Sequence, residues 1–166
     1  MGEKLTKKDV EKIKQEIEHR KLVIRKEAIE AVKEARAQGD LSENFEYYAA
    51  KRYKNQNESR IGYLERMLKT AVIVSDDSKS DEVGMNDIVE VRFEEDGEVE
   101  KYKLVTPIRG NSLEHRVSIE SPIGKALKGH RAGDRVRVKV NDNYSYELSI
   151  LSIDKTGSEE EEIRGF

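Results

Sequence analysis

Apolar residues recur along the first part of the chain with the period of a helix. Val10, Ile13, Ile17, Ile24, Ala28, Ala31 and Ala35 follow one another at steps of three, four or seven. That spacing places them on one face of a helix from about Lys7 to Gln38. Tyr47, Ala50, Ile61, Leu64, Leu68 and Ala71 form a second such stripe from about Ser42 to Thr70. Lys54 and Asn57 fall on the second stripe, where polar residues cost stability but fix register and pairing. No proline interrupts either segment. At a rise of 1.5 Å per residue each helix would be ~45 Å long. Only a short link separates them, so they are predicted to run antiparallel as a coiled-coil hairpin.

The period then changes. Val72-Ile73-Val74 reads as a strand leaving the hairpin, and Ser75–Met85 is a polar linker. Ile88–Phe93 leads into Asp96-Gly97, a hairpin-turn dipeptide, and then into Val99–Val105. Arg116–Ile119 follows, and Arg135–Val140 alternates strictly, as a half-buried strand should. Asn141-Asp142-Asn143 turns the chain into Tyr144–Ile153. One short helix is predicted between these strands, with Ser121 as N-cap, Pro122 in the first position and Gly129 just past the end. The fold class is therefore α+β. A helical hairpin over residues 1–75 precedes a small antiparallel sheet domain with a short helix over 76–157. Residues 158–166 read as a disordered acidic tail.

Composition narrows the function. Charged residues make up 39% of the 166 and hydrophobic ones 36%, too polar for one thick core. No apolar run approaches the ~18 residues that span a bilayer. No apolar stretch follows Met1-Gly2-Glu3-Lys4, so no secretory signal is expected and the default compartment is the cytoplasm. The absence of cysteine excludes disulfides, thiol nucleophiles and thiolate metal sites. His19, His115 and His130 are too scattered to form a metal-spaced cluster. Residues 1–75 carry 17 Lys/Arg against 13 Asp/Glu, and residues 76–166 carry 14 against 21. The basic excess of the first part is too small to argue for tight duplex-DNA binding.

The candidate chemistry lies in the link, Gly39-Asp40-Leu41-Ser42-Glu43-Asn44. Gly39 suits the end of the first helix. Asp40-x-x-Glu43 matches a capping box, with Asp40 as N-cap and Glu43 at the third position of the second helix. The same two carboxylates at an exposed tip would make an incomplete magnesium site, since that ion is often held by one or two carboxylates and substrate phosphates. Lys33, Arg36, Lys51 and Arg52 stand near enough in sequence to meet phosphates, although composition alone reads them as a solvated helix face.

Ala35–Asn44, continuing through Glu46-Tyr47 and Ala49-Ala50-Lys51, closely resembles the tip of the bacterial Gre transcript cleavage factors. Arg60-Ile61 and Leu64-Glu65 continue the second helix in the manner of that family. Ser121-Pro122-Ile123-Gly124-Lys125-Ala126-Leu127-Lys128-Gly129, followed by Gly133-Asp134, is similar to its C-terminal signature. The resemblance implies a coiled coil and a C-terminal domain similar to the FK506-binding-protein fold. That likeness to prolyl isomerases is one of fold and implies no isomerase activity.

The resemblance also implies a partner, RNA polymerase. The globular part would dock at the rim of the secondary channel and the coiled coil would enter it to reach the nascent RNA 3′ end. Asp40 and Glu43 would help hold Mg²⁺ jointly with the polymerase, with Ser42 or Asn44 orienting the attacking water. Lys33, Arg36, Lys51 and Arg52 would meet RNA or polymerase. No cofactor is expected in the isolated protein, which would be a monomer, make no membrane contact, and be no free-standing nuclease. One departure stands out. After Tyr102–Val105 the family usually continues with a glycine and a Glu-Ala-Asp run, whereas this chain reads Thr106-Pro107-Ile108-Arg109-Gly110-Asn111. A Gre-like regulator that inhibits polymerase, and a capped coiled-coil adaptor without chemistry, are the rival readings.

Overall fold

The computed structural model describes residues 2–39 and 44–165. The chain divides into two compact units, Val10–Ala71 and Glu3–Asp9 with Val72–Gly165. The N-terminal residues 3–9 thus group with the C-terminal part.

Strand β1 (Lys4–Leu5) is followed by helix α1 (Lys7–His19), a π-helical turn (Arg20–Ile24), helix α2 (Arg25–Ala37) and helix α3 (Phe45–Thr70). α3 has 26 residues and is therefore ~39 Å long. The hairpin is antiparallel, as its cross-helix bonds show. Lys21 pairs with Glu65 at 3.1 Å and Arg25 with Glu58 at 2.8 Å, and Asn44 Nδ2 donates to the Ala35 carbonyl at 2.6 Å. The predicted stripes supply its buried residues Ile13, Ala28, Ala35, Ile61 and Leu64, joined by Met67. Ala31 is exposed instead.

The π turn has no signal in the apolar period. The Arg20 carbonyl accepts from the Arg25 N–H, five residues on, and from Asn57 Nδ2 of the facing helix at 3.2 Å. A side chain entering the main-chain ladder is a recognised cause of such an irregularity. Asn57 Oδ1 in turn accepts from Arg20 Nη1 at 3.0 Å. The polar seam residue is thus buried and paired, as register-fixing requires.

The second unit is built on a five-stranded sheet. β2 (Val72–Ile73) lies outside it and pairs in parallel with β1. The sheet strands are β3 (Ile88–Phe93), β4 (Val99–Val105), β5 (Arg116–Ser118), β6 (Arg135–Asn141) and β7 (Tyr144–Asp154), in spatial order β5-β4-β3-β7-β6. Helix α4 (Pro122–Leu127) lies in sequence between β5 and β6. Alternation decides which face is buried: Val89 and Val91, Val136 and Val138, and Leu148 and Ile150 enter one core with Leu104, Ile119 and Leu127. Each such side chain contributes roughly 1.5–3 kcal/mol on burial.

Asp96-Gly97 turns β3 into β4 with a φ of 75° at the glycine. Ser121 caps α4 by accepting from the Gly124 N–H at 3.1 Å. The sheet is mixed, not wholly antiparallel: β5 runs parallel to β4. Two 3-10 turns, Pro107–Arg109 and Ser112–Glu114, carry the chain back so that β5 starts at the same end as β4. Among the described residues no helix is long and apolar enough to cross a membrane.

Candidate functional site

Asp40, Leu41, Ser42 and Glu43 lie outside the described residues. The structure does describe both helix ends that they join. α2 stops at Ala37, Gln38 is its C-cap, and Gly39 follows with a φ of 147°, a conformation open to glycine and strained for side chains with a Cβ. α3 starts at Phe45, and its N-cap is Asn44. The cap expected at Asp40, with Glu43 at the third position, is not the one that starts α3: Asn44 Oδ1 accepts from the Tyr47 N–H at 3.0 Å, so Tyr47 holds the third position.

Asparagine caps a helix about as well as aspartate, and its amide has a donor that a carboxylate lacks. That donor decides the matter. Asn44 Nδ2 reaches the Ala35 carbonyl, which also accepts from the Gln38 N–H at 3.3 Å at the end of α2. One side chain therefore caps α3 and adds a second donor to the last turn of α2, tying the hairpin shut just behind the acidic link. Both polar atoms of Asn44 are engaged in this bridge.

Behind Asn44 lies a basic and aromatic cluster. The Arg36 guanidinium sits 5.7 Å from the centre of the Tyr47 ring, within cation–π range. A hydrogen bond from Arg36, then the charges of Lys51, Arg36 and Lys54, outweigh desolvation and hold the Tyr47 phenol below its ordinary pKa. Tyr48 meets Tyr47 edge-on at 5.5 Å, and Phe45 is 85% exposed. Of the four predicted basic residues, the structure brings Arg36 and Lys51 to this cluster. Lys33 and Arg52 are exposed on the same two helices but take no part in it. The role of Tyr47 was missed from sequence, where its helical spacing marked it only as a seam residue.

Further along the hairpin, Glu16 Oε2 accepts from Arg20 Nε at 2.7 Å and from Arg60 Nε at 2.8 Å. Burial pushes the Glu16 carboxyl up, but the hydrogen bonds and charges of Arg60 and Arg20 outweigh it and hold the pKa below the ordinary value. Arg60 is buried, although nothing in the apolar pattern marks it. The i,i+4 spacing of Glu16 and Arg20 was a readable signal.

Among the described residues, no group of three or more His, Cys, Asp or Glu side chains is placed to hold a metal ion. The described part of the tip thus supplies a tied helix end and a basic cluster. The acidic oxygens belong to the link itself.

The N-terminal model of transcription elongation factors matches residues 3–73, and the GreA/GreB C-terminal model matches residues 77–155. Transcription elongation factor GreA of Thermotoga neapolitana is 42% identical over 136 residues, covering 82% of this chain and 87% of its own. That of Geobacillus kaustophilus is 44% identical, covering 81% of this chain and 86% of its own. Among solved structures, GreA factor homolog 1 of Thermus thermophilus is 32% identical, covering 92% of this chain and 99% of its own, with a TM-score of 0.43. Two family models in the right order span nearly the whole chain, and the chain belongs to the GreA/GreB family of transcription elongation factors.

Proposed function

We propose that this chain enters the secondary channel of RNA polymerase hairpin-first and stimulates cleavage of backtracked nascent RNA, so that arrested elongation resumes. The observation that carries the reading is the acidic link at the end of a helical hairpin that Asn44 ties shut. A bridge across the two helix ends limits where the link can go. That is what a group delivered into another protein's active site needs.

Asp40 and Glu43 offer oxygen donors of the type magnesium takes, but two carboxylates fall short of its coordination sphere. They would hold Mg²⁺ jointly with polymerase. Bound there, the ion would lower the pKa of a water and stabilise the attacking and leaving oxygens of a phosphodiester. This chain's own residues do the positioning. Asn44 fixes the base of the link, Ser42 would orient a water, and Arg36 and Lys51 favour RNA phosphate close to the tip. Lys33 and Arg52, exposed on the same two helices, would add to the positive charge offered to RNA or polymerase. The chain is an accessory factor, since substrate and the remaining ligands belong to polymerase, and it works as a monomer in the cytoplasm.

A cleavage assay on stalled elongation complexes tests this. The parent should shorten the transcript from its 3′ end. Asp40→Ala or Glu43→Ala should abolish stimulation while still competing with the parent for polymerase. Variants that cleave like the parent would refute the tip chemistry. A parent that suppresses cleavage would make the chain an inhibitory relative.

A further inference from the structure

The segment read from sequence as a disordered acidic tail is seated on the C-terminal unit. Arg109 is fully buried and gathers carboxylates from both ends of that unit. Its Nε donates to Asp9 Oδ1 at 2.9 Å, its Nη1 to Asn86 Oδ1 at 2.9 Å and to Glu161 Oε2 at 3.0 Å, and its Nη2 lies 3.4 Å from Glu159 Oε1. Lys103 bonds the Glu161 carboxylate and the Ser158 carbonyl. The Arg164 N–H donates to the Ile108 carbonyl at 2.9 Å. Side-chain and main-chain bonds therefore both hold the segment. The seat is also shaped for it: a Cβ at Gly157 would fall 1.8 Å from the Asn86 carbonyl oxygen, so the chain enters where only glycine fits.

A site that takes two glutamates and a main-chain carbonyl from one short stretch has the chemistry of an acidic-peptide cleft. We propose that Lys103 and Arg109 form a binding cleft for acidic peptides, which residues 157–165 of the same chain occupy as an internal, displaceable ligand. Tethering makes that occupancy strong, because a short linker holds a segment at an effective concentration of order mM. A partner carrying a comparable Glu-rich stretch would have to outcompete it. The proposal is independent of the tip and of any cleavage activity.

The test uses the full chain and a fluorescein-labelled peptide with the sequence of residues 157–165, followed by anisotropy. Glu159→Lys/Glu161→Lys places positive charge beside Lys103 and Arg109 and should evict the tail. That variant should bind the peptide at least ~10-fold more tightly than the parent, whose cleft is filled. Adding Lys103→Glu to it should remove the gain, and circular dichroism should show all three proteins folded alike. The idea fails if the evicted variant binds no better than the parent or if Lys103→Glu changes nothing. It also fails if a nine-nucleotide RNA binds the evicted variant more tightly than the peptide, which would make the cleft a phosphate site.

Discussion

Asn44 Nδ2 donates to the carbonyl of Ala35, nine residues earlier, at 2.6 Å. The same side chain accepts from the Tyr47 N–H. One residue thus serves as N-cap of the outgoing helix and as a partner for the end of the incoming one. Asn44→Ala should cost about 1–2 kcal/mol from the lost cap alone, read as a lower denaturation midpoint at unchanged slope. Asn44→Asp keeps the acceptor and loses the donor. It should recover part of the stability but not the cleavage stimulation that Asn44→Ala should also lose, which separates capping from the tie between helices.

Asp9 and Arg109 form a buried pair in the second unit. Asp9 Oδ2 also accepts from Thr106 Oγ1 at 2.6 Å and from the Thr6 N–H at 3.0 Å. Removing one partner of a buried pair typically costs 3–5 kcal/mol, because the other charge is left uncompensated. Asp9→Ala should therefore lower unfolding free energy by about that amount. Urea titration checks it. A loss under 1 kcal/mol would mean that Asn86, Glu159 and Glu161 suffice for Arg109.

Glu16 gives the hairpin a pH dependence of definite sign. Its folded pKa lies below the ordinary 4.5, so protons bind the unfolded state more readily. The stabilisation it contributes is complete above about 4.5 and is lost as pH falls through the folded value. Glu16→Gln should flatten the stability profile within that window, below about 4.5, while leaving its shape near neutrality alone. Thermal melts from pH 7 down to pH 3 would show it.

Tyr47 reports on the basic cluster behind the tip. With its phenol held below the ordinary value by Arg36 first and by Lys51 and Lys54, it should ionise at lower pH than an isolated tyrosine. Arg36→Ala should move that titration upward, as read from the ring carbon shifts of labelled tyrosine. The same variant should weaken cleavage stimulation most at low salt, where the Arg36 charge is least screened.

Much of this was legible in the chain. The two stripes gave the hairpin, Asp96-Gly97 the β3–β4 turn, and Ser121-Pro122 the start of α4, because each rests on neighbours in sequence. What escaped depends on distant partners. Asp40 and Asn44 are comparable caps by propensity, and the carbonyl of Ala35 selects between them. Thr6-x-x-Asp9 has the spacing of a capping box, and the structure forms it, with the Asp9 N–H donating to Thr6 Oγ1 at 3.1 Å. The burial of Arg109 has no local signature at all, since its carboxylates come from residues 9, 159 and 161. Without that centre, a Glu-rich terminus looks like a tail.

The π turn at Arg20–Ile24 sets the aim of everything beyond it. A helix advances about 100° of azimuth with each residue, and the turn absorbs one residue without the matching rotation. The stretch from Arg25 to Ala37 is therefore re-phased against the stretch from Val10 to His19. Losing or gaining a single residue in this arm would leave its length almost unchanged, yet rotate the end of α2 about its axis by about 100°. Selection on such an arm acts on angle before it acts on reach.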